Sequence, residues 1–360
     1  MTGSRGGRGG HTIGSDVRIE QIADWLRGEL KFDLVRLAPA SNDASFRRYF
    51  RVWRRDGATR VVMDAPPDKE DTAAFLKVAQ LLARCDVHVP RVDAADGLRG
   101  FVLLEDLGSV QYLERLRAGD DPQVLYGDAL EALRRIQLQG LSAARELAPY
   151  DRAALEREMA LMPEWFCERH LQLTLNEQDR AILAGTFELL TRAALAQPVV
   201  FVHRDYHSRN LMVLSERNPG IVDFQDALAG PITYDLVSVL KDCYIHWPRA
   251  RIEGWVGEHR ARLAALGGSV GASEQEFLRW FDWIGLQRHI KVLGIFARLW
   301  WRDGKSGYLP DLPRTLQYAH DAAARYPELG AFAVWLEQRV LRALGPANAR
   351  AQAQAQAAAP

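Results

Sequence analysis

One polar stretch near the middle of the chain constrains the fold more than any other part of the sequence. Residues 203–210 read His-Arg-Asp-Tyr-His-Ser-Arg-Asn and lie between two short apolar runs. A third apolar run follows soon afterwards and ends in Asp223-Phe224. Short apolar runs separated by polar turns are typical of buried strands. The pattern therefore predicts a strand, a loop and a hairpin that brings Asn210 and Asp223 together.

The residue types in this stretch match the kinase pattern of His-x-Asp, four further residues, Asn and a later Asp-Phe. Phosphoryl transfer needs a positioned acceptor hydroxyl and metal ions that bridge the phosphates. We expect Asp205 to orient that hydroxyl and accept its proton. We expect Asn210 and Asp223 to bind Mg²⁺, with water and the phosphates of ATP completing its coordination. A surface loop that holds these residues by chance is the alternative, and the strand context disfavours it.

Length and charge narrow the class of protein. The chain has 360 residues, enough for two lobes, and its 46 basic side chains equal its 46 acidic ones. A general nucleic-acid binder would carry a basic excess, so no nucleic-acid partner is expected. Nothing in the sequence indicates an obligate protein partner.

The cysteines and the apolar runs indicate the compartment. Cys85, Cys167 and Cys243 are far apart and form neither a zinc pattern nor a disulfide framework. No apolar run approaches the roughly 18 residues that a membrane span needs. The N-terminus lacks the apolar core of a secretory signal. We therefore expect a cytoplasmic protein that does not insert into membranes.

Two kinds of pattern follow one another along the chain. Strand-like runs joined by Arg55-Asp56-Gly57 predict a small antiparallel sheet, and helical periodicity dominates after residue 111. The predicted fold class is α+β with two lobes, a small antiparallel-sheet N-lobe and a larger helical C-lobe. The predicted organisation is a flexible tail (1–15), a nucleotide-binding N-lobe (16–108), a C-lobe with the catalytic loop and the acceptor site (109–345), and a low-complexity tail (346–360).

Residues 17–340 resemble the aminoglycoside phosphotransferase and choline kinase family, which has a protein-kinase-like fold. The segment from Leu103 to Gly108 resembles the family's interlobe linker, whose backbone holds adenine, which implies that Glu105 and Leu107 bind nucleotide. The resemblance implies further that His203 and Asp235 brace the catalytic loop. Helix capping is the simpler role for Asp235, and both roles can hold at once.

The N-lobe departs from the family pattern at one position. The strand that usually carries a phosphate-binding lysine reads Val-Val-Met-Asp, with Met63 or Asp64 near that position. The preceding segment resembles the nucleotide-covering hairpin, which implies that Ser45, Phe46, Arg47 and Arg48 bind nucleotide. A solvated edge is an equal alternative for the two arginines. Without the lysine, phosphate positioning depends more on Mg²⁺ and the loop backbone, and a preference for GTP stays open.

Three further segments, residues 61–67, 223–227 and 298–305, together resemble the anomeric amino-sugar kinases of cell-wall recycling. That resemblance implies phosphorylation of the C1 hydroxyl of N-acetylmuramic acid and N-acetylglucosamine with ATP. The partners would then be a small amino sugar and a nucleotide.

The charge of the helical lobe bears on the acceptor. Residues 231–345 contain 15 basic and 12 acidic side chains, which suits a neutral or anionic acceptor better than a polycation. An arginine or lysine would suit the lactyl carboxylate of a muramic sugar. The expected acceptor-binding residues are His207, Arg298, Arg302, Asp303 and Lys305.

Two other functions compete with this interpretation. An aminoglycoside or small amino-alcohol phosphotransferase would keep the chemistry and change the acceptor. A non-catalytic kinase-fold binding module is supported only by the missing lysine, because Asp205, Asn210 and Asp223 are all present.

Overall fold

The structure is a computed structural model that describes residues 16–41 and 46–357. The chain forms two compact units. The described residues up to Leu76, together with Pro90–Leu107, form the first unit, whereas Lys77–Val89 and the chain from Gly108 onward form the second. The break after Leu107 lies at the predicted lobe boundary. Residues 77–89, which we expected in the N-lobe, group with the second unit, where Lys77 Nζ donates to the Glu146 carbonyl at 2.5 Å.

An antiparallel sheet dominates the first unit. Its elements are α1 (Val17–Asp24), β1 (Leu34–Ser41), β2 (Arg48–Arg54), β3 (Thr59–Asp64), the start of α2 (Thr72–Ala83), β4 (Val92–Asp96) and β5 (Phe101–Glu105). The five strands are ordered β1-β2-β3-β5-β4, and all neighbours are antiparallel. The predicted hairpin between β2 and β3 is confirmed, with Gly57 at φ 86° in its turn.

The apolar face of α1 and the π-helical turn Trp25–Glu29 covers this sheet. Ile22, Trp25 and Leu26 pack with Val52 and Phe101 in one buried cluster. The helix begins at Asp16, whose carboxylate accepts the Arg18 N–H at 3.1 Å.

Helices make up most of the second unit. They are α3 (Tyr112–Arg117), α4 (Pro122–Gln139), α5 (Leu141–Ala144), α6 (Arg152–Met159), α7 (Glu177–Leu195), α8 (Tyr234–Leu240), α9 (Arg249–Ala265), α10 (Glu274–Trp301), α11 (Leu312–Ala324), α12 (Gly330–Trp335) and α13 (Arg342–Ala357). Shorter helical segments are the π-helical Met162–His170 and Leu336–Leu341 and the 3₁₀ turns Ser306–Asp311 and Pro327–Leu329. The strands are β6 (Val199–Val202), β7 (Leu211–Met212), β8 (Gly220–Ile221) and β9 (Leu228–Pro231).

The strands of this unit form two antiparallel pairs, β6 with β9 and β7 with β8. The β7–β8 pair is the hairpin that the sequence predicted between Asn210 and Asp223. The fold class is therefore α+β, a small antiparallel-sheet unit and a larger helical one, as expected.

Helix α10 is the longest helix and is buried along most of its length. Phe277, Phe281 and Ile284 follow the spacing of one helix face and are 0–1% exposed. At Gly294 the helix touches the preceding π-helical region so closely that a Cβ would lie 2.4 Å from the carbonyl carbon of Leu161. The same helix buries the charged side chains of Asp282, Arg288 and Lys291 inside the unit.

The C-terminal residues correct one prediction. The composition predicts a low-complexity, frayed tail from residue 346, and in the structure α13 continues through it to Ala357. Alanine is the best helix former, and Leu344, Ala347 and Ala351 bury one side of this helix. Among the described residues no helix is both long and apolar enough to span a membrane. All three cysteines are free and buried.

Candidate active site

The loop of residues 203–210 is held by the first turn of α8. The backbone N–H groups of His203 and Arg204 donate to the two carboxylate oxygens of Asp235 at 2.6 and 3.0 Å. Arg204 adopts a left-handed backbone with φ 76°. Burial raises the pKa of Asp235 to about 7, although both backbone N–H groups act in the opposite direction. The carboxyl group of Asp235 thus fixes the point at which the chain leaves β6.

Asp205 follows directly and reaches solvent, with 41% of its side chain exposed. Its backbone N–H donates to Nδ1 of His203 at 3.3 Å. Burial lowers the pKa of His203 to about 4, so this imidazole is neutral at pH 7 and Nδ1 can accept that hydrogen bond.

The structure brings Asn210 and Asp223 together. The Asn210 amide donates to the Asp205 carbonyl at 3.0 Å and to Oδ2 of Asp223 at 3.2 Å. Asp223 has a left-handed backbone, φ 63°, and its Oδ1 accepts the Gln225 amide at 2.9 Å. Two residues that are 13 positions apart thus present amide and carboxylate oxygens in one place.

These donors fit Mg²⁺. Oxygen ligands are what this ion prefers, and it usually takes only one or two protein carboxylates, with water and substrate phosphates completing the octahedron. Within residues 16–41 and 46–357 there is no group of three or more His, Cys, Asp or Glu side chains that could hold a metal. Asn210 and Asp223 would thus offer the ion two protein oxygen ligands and leave its other positions to water and phosphate.

Sequence reasoning missed Arg288, a buried arginine on α10. Its Nη2 lies 4.0 Å from Oδ1 of Asp205, and its Nη1 donates to the Arg204 carbonyl at 3.0 Å. The phenol of Tyr234 accepts from the same Nη1 at 3.4 Å. The signal in the sequence was a cation within the most apolar stretch of a long helix.

Beneath Arg204 lies a second set of buried charges. Glu158 accepts from Lys291 at 3.0 Å and from Arg204 at 2.5 Å, and the Tyr150 hydroxyl also donates to it. Burial acts to raise the pKa of Glu158, but Lys291 and Arg204 hold it below the ordinary value. A buried charge is tolerated when it is paired and hydrogen-bonded in this way.

The same cations act on Asp205. Burial would raise the pKa of Asp205, but the positive charges of Arg288 and Lys291 outweigh that effect and hold it below the ordinary range. The carboxylate is therefore ionised at neutral pH and can accept a proton.

His207 follows Asp205 by two residues, and its backbone N–H donates to the Asp205 carbonyl at 2.9 Å. Its ring contacts Tyr244 edge to face at 5.5 Å between centroids, and burial lowers its pKa to about 4. In the described part of the chain its buried Nδ1 has no hydrogen-bond partner. A neutral imidazole with an unused nitrogen beside Asp205 can contact an acceptor.

The expected acceptor residues 298–305 lie farther along the same helix. Arg302 follows Arg288 by 14 residues, about 21 Å at ~1.5 Å per residue. Arg302 donates to both carboxylate oxygens of Asp303 at 2.7 and 2.9 Å. Burial lowers the pKa of Arg298, and Lys305 closes the helix end with its N–H on the Leu299 carbonyl at 2.9 Å. No hydrogen bond or ion pair recorded for the described residues joins Arg298, Arg302 or Asp303 to Asp205.

The expected nucleotide-binding residues lie in the first unit. Ser45 is outside the described residues. Phe46 is exposed, and its N–H donates to Glu70 at 3.2 Å. Arg47 lies 3.8 Å from the same carboxylate. Leu107 is buried, and the Glu105 carboxylate accepts the Arg91 N–H at 3.2 Å.

Arg48 belongs to a set of paired charges that we call the Asp64 cluster: Asp16, Arg18, Arg48 and Asp64. Asp64 is fully buried and accepts from Arg18 at 2.7 Å and from Arg48 at 2.9 Å. Arg48 also donates to Asp16. In the strand where the family pattern leads us to expect a lysine, with Met63 or Asp64 near that position, Asp64 is thus a carboxylate that neighbouring arginines neutralise.

Comparisons with known proteins show the family of this chain. The model of the phosphotransferase enzyme family matches residues 36–281. A Pseudomonas putida protein named N-acetylmuramate/N-acetylglucosamine kinase is 46% identical over 325 residues, which cover 87% of this chain and 94% of that protein. A Neisseria meningitidis protein of the same name is 44% identical over 313 residues, 86% of this chain and 92% of that protein.

Solved structures share the fold at low sequence identity. An ADP-bound aminoglycoside phosphotransferase superimposes with a TM-score of 0.55 at 14% identity, covering 85% of this chain and 99% of that one. A Plasmodium vivax ethanolamine kinase gives a TM-score of 0.59 at 11% identity, with 84% and 88% covered. The expectation of a kinase-like fold of this group is confirmed.

Proposed function

This chain belongs to the phosphotransferase enzyme family, and we propose that it transfers a phosphoryl group from ATP to the anomeric C1 hydroxyl of N-acetylmuramic acid and N-acetylglucosamine. One observation carries the chemistry: an ionised Asp205 stands beside an oxygen-bearing pair, Asn210 and Asp223. The names of relatives at 44–46% identity support the choice of acceptor.

Asp205 is the catalytic residue of this proposal. Its carboxylate orients the acceptor oxygen for in-line attack on the γ-phosphorus of ATP and accepts the hydroxyl proton as the new O–P bond forms. The bond between the γ-phosphorus and the β,γ-bridging oxygen breaks at the same time, and ADP leaves. An anomeric hydroxyl is more acidic than an ordinary sugar alcohol, so a carboxylate whose pKa lies low is a sufficient base. Arg288 positions it from one side and His207 contacts the sugar from the other.

Asn210 and Asp223 would hold Mg²⁺, which when bound neutralises the negative charge of the phosphates. The chain itself would supply two oxygen ligands, one from Asn210 and one from Asp223, at positions fixed by their hydrogen bonds. The Asn210 amide nitrogen is committed to Asp205 and Asp223, which leaves its oxygen for a ligand. His203 and Asp235 brace the loop through its backbone, so the base and the metal pair move as one piece.

For the nucleotide we propose a site in the first unit that includes Ser45, Phe46 and Arg47, with adenine on the backbone of Glu105 and Leu107. Arg48 is already paired with Asp64 and Asp16. In this proposal it affects nucleotide binding only by fixing the conformation of β2. A donor panel of ATP and GTP tests the choice of purine.

The acceptor side of the proposal changes with the structure. Because Arg302 and Asp303 neutralise each other, their part would be to shape the end of α10, with Arg298 and Lys305 beside them. His207 is the acceptor contact of choice, because it combines proximity to Asp205 with an unused ring nitrogen. We place the reaction in the cytoplasm, where ATP is available and where free thiols such as Cys85, Cys167 and Cys243 persist.

Product analysis tests the reaction. Phosphorus NMR of the product from N-acetylglucosamine should show a sugar 1-phosphate. The methyl glycoside of the same sugar lacks a free anomeric hydroxyl and should not react, whereas a 6-deoxy analogue should. Phosphorylation at C6, or reaction with an aminoglycoside and no reducing sugar, would overturn the acceptor assignment.

Substitution of the base tests the mechanism. Asp205→Asn should lower turnover by about 10²–10⁴-fold, the usual contribution of a positioned base, and leave nucleotide affinity nearly unchanged. Glu216→Gln, an exposed carboxylate in the hairpin turn, is the matched control and should keep normal turnover. Near-normal turnover of Asp205→Asn would exclude its role.

A further inference from the structure

Three arginines from separate elements converge on the short segment that follows α8. Arg117, at the end of α3, donates to the Tyr244 carbonyl at 3.4 Å. Arg314, in the first turn of α11, donates to the Cys243 carbonyl at 3.3 Å. The guanidinium carbon of Arg209, from the catalytic loop, lies 3.7 Å from the centre of the Tyr244 ring. We call Arg117, Arg209, Arg314 and Tyr244 the Tyr244 cluster.

The cations of this cluster are not neutralised by ion pairs. Across residues 16–41 and 46–357, none of the three arginines has a carboxylate oxygen within 4.0 Å. The half-buried Asp311 interacts with all three electrostatically: burial raises its pKa, and Arg209, Arg314 and Arg117 act to lower it. Guanidinium groups that share so little negative charge repel one another, and an incoming anion would relieve that repulsion.

The buried Asp242 does not supply that anion. Its Oδ1 accepts the N–H groups of Tyr244 and Ile245 at 2.9 and 3.0 Å. Its Oδ2 accepts the hydroxyl of Ser208 at 2.5 Å. The Asp242 carboxylate thus links the segment of residues 242–245 to Ser208 of the catalytic loop by hydrogen bonds.

That fastening places the cluster next to the reacting centre. Ser208 and Arg209 belong to the same loop as Asp205, and the Tyr244 ring touches His207, which follows Asp205 by two residues. The cluster and the base are therefore parts of one tied loop region: Arg209 follows Asp205 by four residues, and the Tyr244 ring lies against His207. An acceptor sugar whose C1 hydroxyl is hydrogen-bonded to Asp205 would therefore have its other ring substituents near this region.

The two proposed acceptors differ by one charged group. N-acetylmuramic acid carries a lactyl ether with a carboxylate at C3, where N-acetylglucosamine has a hydroxyl. Arginine binds carboxylates through two parallel hydrogen bonds, which gives both strength and direction. We propose that the Tyr244 cluster is the subsite for the acceptor's carboxylate, and that it makes the enzyme favour sugar acids over neutral amino sugars.

This inference rests on the proposed function. It also replaces the expectation that Arg302 holds the carboxylate, because Arg302 already has Asp303 as its hydrogen-bonded partner. The arginines around Tyr244 instead donate to backbone carbonyls or lie over the ring.

The test compares the two sugars in matched variants. For Arg314→Gln and Arg117→Gln we expect the ratio of kcat/KM for N-acetylmuramic acid to that for N-acetylglucosamine to fall about 10–100-fold, because a charge-assisted pair is lost for one sugar only. Arg314→Lys keeps the positive charge but loses the planar guanidinium fork, so its kcat/KM ratio should lie between those of the wild type and Arg314→Gln. Arg115→Gln is the control, since Arg115 lies on the same helix and pairs with Asp120 at 2.7 Å.

The methyl ester of N-acetylmuramic acid supplies a second measurement. It keeps the lactyl group and removes its charge, so the wild-type enzyme should prefer the acid to the ester. Arg314→Gln should show a clearly smaller preference, because one of the three cations is gone. An equal loss for both sugars, or a rise confined to the KM for ATP, would overturn the subsite; the latter would assign the arginines to nucleotide phosphates. If the wild-type enzyme phosphorylates neither sugar, the proposed function itself fails, whatever the variants do.

Discussion

The arginines around Asp64 in the first unit and those around Tyr244 in the second unit differ in what neutralises them. Asp64 is fully buried, and two arginines and Asp16 complete a balanced set. Around Tyr244, the guanidinium groups donate to backbone carbonyls or lie over the ring. Arginines paired with buried carboxylates hold a fold together, and removing one partner is costly. Arginines without such partners near a reacting group are suited to bind an anion from outside.

The largest effect that separates the two clusters is on stability. Asp64→Ala leaves Arg18 and Arg48 without their shared carboxylate, and we expect it to lower the free energy of unfolding by about 3 kcal/mol. Urea denaturation measures this, with Asp68→Ala, an exposed carboxylate on the turn after β3, as the control. If Asp64→Ala unfolds at the wild-type urea concentration, the view that this cluster is structural is wrong.

A second experiment examines Arg288, which lies near a carboxylate, like the arginines around Asp64, and donates to a backbone carbonyl, like those around Tyr244. It lies 4.0 Å from Asp205 and also donates to a backbone carbonyl. We expect Arg288→Ala to lower kcat on the order of 10–100-fold, since small displacements of a catalytic group cost up to about 10²-fold. Nucleotide affinity should change little.

The pH profile of the same variant distinguishes an electrostatic effect of Arg288 on Asp205 from a structural disturbance of the loop. Because Arg288 holds the pKa of Asp205 down, its removal raises that pKa, and the acidic limb of kcat/KM should move to higher pH. Arg288→Lys should keep part of the wild-type limb. A reduced kcat with an unmoved limb would show that Arg288 acts only through the loop backbone.

A smaller effect is expected for Arg48→Ala. Asp64 keeps Arg18, and Arg48 is 39% exposed, so the loss should be about 1 kcal/mol, near the value of a partly exposed ion pair. The KM for ATP should stay within about twofold of wild type. A large rise in that KM with unchanged stability would return Arg48 to the nucleotide site.

The smallest effect is that of salt. Raising ionic strength from about 0.05 to 0.5 M shortens the screening length, and we expect the KM for N-acetylmuramic acid to rise a few-fold while that for N-acetylglucosamine stays constant. Both are measured at saturating ATP and Mg²⁺. Parallel changes for the two sugars would indicate that no charged contact distinguishes them.

The sequence placed much of the candidate site, because its parts are close along the chain. Asp205, Asn210 and Asp223 lie within one loop and hairpin, so their spacing alone indicates that they meet. The missing lysine was also visible in the sequence. The pairing of Asp64 with Arg18 could not be predicted from the sequence, since the two residues come from different elements and are 46 positions apart.

Arg288 and Glu158 show the limit more clearly. Periodicity identifies α10 as a buried helix but does not say which neighbour each of its faces meets. Arg288 reaches Asp205 from 83 residues further along the chain, and Glu158 reaches Arg204 from 46 residues before it. Neither contact leaves a local pattern beyond a charge in an apolar setting.

The sequence by itself determined the family, the two kinds of secondary structure and the loop to which we assign the chemistry, because these depend on local spacing and on periodic burial. Only the tertiary structure decided which arginines are neutralised and which are left for a ligand. The physical reason is that an ion pair depends on a separation of a few ångströms and on exclusion of water, and both are set by elements that the chain brings together from far apart.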